Sequence, residues 1–135
     1  MSIWTHITGC IRIDDYKMII QPNNKTDFSK IFVRDTWYHP NKKGNLPTGS
    51  EGSIDVEFID RNDDGSLDYR RTVAFFGDLR DFGKEDCKEV VDWWYHIPEK
   101  LGNSCEIRQA VLQISPEDGQ IIILTEKDMN IIDGE

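Results

Sequence analysis

Two glycine-bearing segments carry the residue types from which a ligand site can be built. Gly49-Ser50-Glu51-Gly52-Ser53 stands just before one strand pattern, and Gly77-Asp78-Leu79-Arg80-Asp81-Phe82-Gly83 just after the next. The second lies between a strand and a helix N-terminus, where free N–H groups and the helix dipole favour an anion. Arg80 supplies a planar fork that can clamp a phosphate or carboxylate through two hydrogen bonds. Ser50, Gly52 and Ser53 add hydroxyl and backbone donors, and Gly77 and Asp78 complete the set. Phe82, Trp37 or Tyr38 offers a ring for a base to stack on. Arg12 and Arg108 are further cationic candidates. The lysine and spacing of a P-loop are missing, and there is no dinucleotide fingerprint. A structural reading stands beside this one: the glycines shape turns, Asp81 caps the helix, and Arg80 pairs with a neighbouring acid.

Other clusters point to other chemistry. Asp60-Arg61-Asn62-Asp63-Asp64-Gly65 matches the first half of a calcium loop, but the twelfth position is Arg71 and the flanks read as strands, so a hairpin is expected. Asp14, Asp15, Asp78 and Asp81 are carboxylates that, brought together, can hold a divalent ion and support phosphodiester hydrolysis. His6-Ile7-Thr8 is one H-x-T without a second copy. No Ser-His-Asp or Cys-His arrangement follows from the spacing. Trp4, His6, Thr8, Cys10 and Arg12 share one face of a strand, which suits a subunit contact or the packing of an extra element.

The elements that position these residues are legible in the pattern. Residues 3 to 13 alternate, with Ile3, Thr5, Ile7, Gly9, Ile11 and Ile13 on one face, which predicts a strand. Thr26 or Asp27 caps a short helix bearing Phe28, Ile31 and Phe32. Residues 37 to 53 read as a long loop, a feature that is often functional. Residues 54–58 and 71–76 alternate around a hairpin turn at Asp63-Asp64-Gly65-Ser66. Cys87, Val90, Val91, Trp94 and Ile97 fall at helical spacing, Pro98 ends or kinks that helix, and Gly102 follows. Residues 106 to 114 form a strand, and Pro116-Glu117-Asp118-Gly119 turns it into Ile121-Ile122-Ile123-Leu124.

The order β-α-β-β-α-β-β predicts a single α+β domain over residues 1–135. The expected plan is ferredoxin-like, β-α-β-β-α-β, with two helices on one face of an antiparallel sheet and an extra C-terminal hairpin strand. The first and third strands are expected central and parallel. One edge then collects Asp14, Asp15, both glycine segments and residues 103 to 105.

The 135 residues suit one core, and 38% hydrophobic with 30% charged residues suits a globular chain. A net charge of −9 repels phosphate backbones, disfavours nucleic acid and favours a basic protein partner. Three cysteines, none in a C-x-x-C pair, fit free thiols in a cytoplasm. Neither a signal peptide nor a membrane-spanning helix is expected.

Trp4-Thr5-His6-Ile7-Thr8-Gly9-Cys10-Ile11-Arg12, the 49–53 segment and Gly77-Asp78-Leu79-Arg80-Asp81 together resemble a group of small accessory proteins of tailed phages. The resemblance implies a phage protein acting in the host cytoplasm, often against host defence, and supplies no site residues. The expected function is a non-enzymatic binding protein without cofactor or metal, holding a small nucleotide immune signal as a homo-oligomer. The alternatives are an acidic nucleic-acid mimic that inhibits a host defence protein, and a metal-dependent phosphodiesterase.

Overall fold

The computed structural model describes residues 2–21, 23–34, 45–60 and 69–131. Five strands form one sheet: β1 (Trp4–Asp15), β2 (Ile54–Asp60), β3 (Arg70–Arg80), β4 (Cys105–Pro116) and β5 (Ile122–Thr125). Their spatial order is β2-β3-β1-β4-β5, and every neighbouring pair runs antiparallel. The helices are α1 (Lys17–Ile20), α2 (Phe28–Ile31) and α3 (Cys87–Leu101), followed after β5 by a 3-10 turn at Glu126–Asp128.

The ferredoxin-like expectation is overturned. Strand dominates, and two of the three helices are single turns of four residues. Pro22-Asn23-Asn24 interrupts the apolar run, so Met18 and Phe28 anchor two separate turns rather than one crossover helix. Only α3 is long enough to lie across the sheet. The central strands β1 and β3 are antiparallel rather than parallel, pairing Trp4 with Arg80 and Asp14 with Arg70.

One face of the sheet is the core. Ile7, Ile11 and Ile13 of β1, Val73, Phe75 and Leu79 of β3, and Leu112 and Ile114 of β4 are buried there. The helix α3 seats Val90, Trp93, Trp94 and Ile97 on them, with the rings of Phe75 and Trp93 5.2 Å apart. The Trp94 indole N–H, fully buried, donates to the Thr125 carbonyl at 2.9 Å. Trp93, which flanks the apolar stripe in the sequence, is therefore core, while Tyr95 is exposed. Pro98 does not end α3; the helix runs one more turn, to Leu101, and Gly102 at φ +76° closes it. Asp27 caps α2 by accepting from the Ser29 N–H at 3.1 Å. Phe28 and Phe32 of that segment cover the Phe58 and Phe75 end of the same face. No helix among the described residues is long and apolar enough to cross a membrane.

Candidate functional site

The two glycine segments do come together, because β2 pairs with β3 in register Ile54 with Gly77. The 49–53 chain then folds back along the end of β3. The Ser50 N–H donates to the Arg80 carbonyl at 2.9 Å, and the Arg80 N–H donates to the Glu51 carbonyl at 3.0 Å. Gly52 has φ +76°, and a Cβ there would stand 1.9 Å from the Asp78 carbonyl oxygen. A Cβ at Gly77 would stand 2.1 Å from the Ser53 carbonyl oxygen. These glycines permit the close approach of two backbones.

That packing consumes the donors expected for an anion. Arg80 Nη1 is 2.5 Å from Glu51 Oε1, and Arg80 Nε donates to Ser2 Oγ at 2.8 Å. The Ser50 hydroxyl bonds the Asp81 carboxylate, and Arg34 donates to the Ser53 hydroxyl at 2.7 Å. Before α3, the Gly83 N–H donates to Asp86 at 2.9 Å and the Lys84 N–H to Asp118 at 2.8 Å. Protein carboxylates thus occupy the place proposed for a bound anion.

Other expected site residues separate. Phe82 is buried in the core, and its carbonyl accepts from the Thr5 hydroxyl at 2.5 Å, so its ring is not a stacking platform. Arg12 lies eight residues along β1 from Trp4, opposite Thr72 and Gln109, away from the glycine loops. Asp14 and Asp15 sit at the opposite end of the sheet from Asp78 and Asp81, so the four carboxylates share no site. No group of three His, Cys, Asp or Glu residues is placed to hold a metal among the described residues. Trp37, Tyr38, His39 and the 61–65 part of the calcium-like loop lie outside the described residues.

What remains is an open depression of about 520 Å³ on the uncovered side of the sheet. Gly52, Ser53, Gly77 and Asp78 line it, joined by Trp4, Phe76 and Asp55. Two rings and two carboxylates meet there, with Asp55 paired to Arg34 at 3.5 Å and Asp78 to His6; the rings suit an apolar or aromatic group. Next to it, His6 Nδ1 is 2.6 Å from Asp78 Oδ1 and Nε2 is 3.3 Å from Glu117 Oε2. The Asp78 hydrogen bond, then that to Glu117, raises the His6 pKa above its ordinary value. Glu117 also ties the β4–β5 turn to β1, its N–H donating to the Trp4 carbonyl at 3.0 Å. Spacing alone gave no sign of Glu117 in this role; only the register brings it beside His6.

The depression is one corner of a larger surface. Register places Asp55, Phe76, Thr8, Gln113 and Ile123 in one row across all five strands. The next row is Glu57, Ala74, Cys10, Val111 and Thr125. Phe76 is 46% exposed, Val111 41% and Ile123 53%, and among the described residues no helix lies over them. Asp55, Glu57, Asp78 and Glu117 rim one side of this patch. Arg12 at its other end has no partner among the described residues.

At the far end of the sheet the polar groups are locked together. Arg71 Nη1 donates to Asp15 Oδ2 at 3.1 Å and to the Thr26 carbonyl at 2.7 Å, and Nε donates to Asp60 at 2.7 Å. Its guanidinium stacks 3.7 Å from the centre of the Phe28 ring. Burial alone raises the Asp60 pKa, but Arg71 and Lys25 more than offset it and hold Asp60 below the ordinary carboxylate value.

Compared with known proteins, the chain matches no family model, no curated protein and no solved structure.

Proposed function

We propose that this chain is a non-enzymatic binding protein that holds a protein partner on the uncovered face of its sheet. The observation that carries this reading is the set of exposed apolar side chains Phe76, Ile123 and, in the adjacent row, Val111, flanked by Asp55, Glu57 and Asp78. Apolar side chains of a partner cover the middle, and its lysines or arginines meet the acidic rim. The net charge of −9 steers a basic partner in the same direction. The resemblance to phage accessory proteins supports a host defence protein as that partner.

Nucleotide binding is the second reading, supported by the depression between Trp4 and Phe76 that gathers Gly52, Ser53, Gly77 and Asp78. There the base would stack and the carboxylates would accept from its amino groups, while Asp55 and Asp78 repel phosphates.

Capture from host extract separates the two. A protein held by the wild type, identified by mass spectrometry and lost with Val111→Asp or Ile123→Asp and in high salt, supports the first reading. Retention by both variants overturns it. A nucleotide that raises the melting temperature of the wild type and leaves Phe76→Ala unchanged supports the second; a ligand at about 100 times its Kd adds about 2.7 kcal/mol.

A further inference from the structure

The open face of the sheet has two unlike ends. At one, Arg12 is exposed on β1 with no partner among the described residues. Beside it Arg70 stands opposite Asp14 in register, and Arg108 pairs with Asp14 and Glu106. At the other end, about 20 Å along β1, Asp78 and Glu117 flank His6. Asp78 gives His6 only Oδ1, and its side chain is 64% exposed, so Oδ2 is open to a further donor. Between the ends, β3, β1, β4 and β5 carry no charge on this face. Phe76, Thr8, Gln113 and Ile123 make one row, and Ala74, Cys10, Val111 and Thr125 the next.

Such a face is complementary to itself. A twofold axis in the plane of the interface, running across the strands at Gly9, sets the Arg12 end of each copy over the Asp78 end of the other. The Phe76 row then faces the Ala74 row of the second copy. The Phe76 ring falls on the small Ala74 side chain, Thr8 on Cys10, and Ile123 on Thr125. A twofold axis along β1 would instead stack Arg12 on Arg12 and His6 on His6, which costs like-charge repulsion. Sheets packed face to face stand about 10 Å apart with strands within about 30° of alignment.

The size suits a dimer. Each outward side chain covers about 33 Å² of sheet, so the rows from His6 to Arg12 span about 600 Å² before side-chain relief is added. A standard interface takes about 800 Å² from each partner. The net charge of −9 repels a second copy at long range, but physiological salt screens charges more than about 8 Å apart. Like charges meet at the β2 rim, Glu57 against Asp55, where Arg34 lies 3.5 Å from Asp55 and offsets them.

We infer that this face, taken as the binding surface of the proposed function, closes on a second copy of the chain when no foreign protein holds it. Each Arg12 pairs with Asp78 of the other copy, and the uncharged rows fill the middle. The dimer rests on that reading of the face, and a host protein must displace one copy to bind.

Sedimentation velocity of the full chain at physiological salt tests this. The wild type is expected to pass from monomer to dimer across the micromolar range. Arg12→Glu and Asp78→Arg are each expected to weaken the dimer at least tenfold. Mixed in equal amounts, the two variants are expected to regain it, because each copy supplies the charge that the other needs. Within one chain the two positions are too far apart to pair. Melting temperatures establish that each variant is folded. Lys88→Glu, the same charge change as Arg12→Glu but on α3, is expected to leave dimerisation within twofold. A monomer at every concentration, single variants that dimerise like the wild type, or a mixture that stays monomeric would overturn the inference. Capture from host extract is a separate readout. A monomeric wild type that captures a host protein overturns the dimer alone, and a dimeric one that captures nothing overturns the host-protein reading alone.

Discussion

Asp15 and Arg71 form an ion pair closed off from water at the end of the sheet. The Asp15 side chain is fully buried and that of Arg71 only 3% exposed, with Nη1 3.1 Å from Oδ2. The pair joins β1 to β3 and, through the Thr26 amide and carbonyl, holds the strap carrying α2 against the sheet. Each carboxylate oxygen of Asp15 has a donor, since the Thr26 N–H and hydroxyl reach it at 2.7 and 3.0 Å.

Removing one member strands the other charge in the interior. Arg71→Ala is expected to cost about 3–5 kcal/mol, the range for a broken buried pair. The double variant Asp15→Asn with Arg71→Met is expected to be more stable than Arg71→Ala, because no lone charge remains. Urea unfolding of the three proteins checks both statements.

Arg80 carries a smaller load. Its side chain is 38% exposed and that of Glu51 63%, so the pair is a solvent-screened one. Arg80→Ala and Glu51→Ala are each expected to lower stability by about 1 kcal/mol or less. A double-mutant cycle in urea reads their coupling; a loss in Arg80→Ala far above that range would show that the guanidinium organises the whole 49–53 fold-back.

Gly52 and Gly102 share φ +76° but not their surroundings. An added Cβ at Gly102 meets nothing within 4 Å, whereas at Gly52 it meets the Asp78 backbone. With ψ −170°, Gly102 lies in a region almost reserved for glycine. Gly102→Ala is therefore expected to cost about 1–3 kcal/mol in backbone strain alone. Gly52→Ala is expected to cost more, because β3 and the loop must also part. Thermal unfolding of the two variants ranks them.

The His6 bridge predicts a pH dependence with a defined sign. Its pKa is raised in the folded chain by Asp78 and Glu117, so the charged form is favoured by folding. The contribution is complete below the unfolded histidine value of about 6.5 and is lost as pH rises through the raised folded value. Half-exposed, the bridge is expected to supply no more than about 1 kcal/mol. Urea midpoints from pH 5.5 to 8.5 are expected to fall across that window for the wild type and to lose that component in His6→Gln.

Much of the local structure was legible from residue order. Alternation placed the strands and divided β1 correctly, with Ile7, Ile11 and Ile13 inward and Trp4, His6, Thr8 and Arg12 outward, because side chains of a strand alternate whatever the fold. The apolar spacing from Cys87 to Ile97 marked α3 for the same reason. It also brought the two glycine segments together, since a hairpin is a local pairing. The direction of β3 against β1 was not legible. It is decided by pairings that run from Asp14 with Arg70 to Trp4 with Arg80, far apart in sequence, which periodicity does not encode. That one choice sent Asp15 to Arg71 and set both Asp14 and Asp15 far from Asp78, while the pairing of β1 with β4 set Glu117 beside His6. Phe82 and Arg80 likewise look like ligand residues in sequence. Tertiary packing buried the ring and gave the guanidinium to Glu51, because an apolar ring and a donor-rich cation are satisfied as well by the protein as by a ligand. Residue order determined the elements and their faces; the long-range register decided which side chains meet and which face stays open.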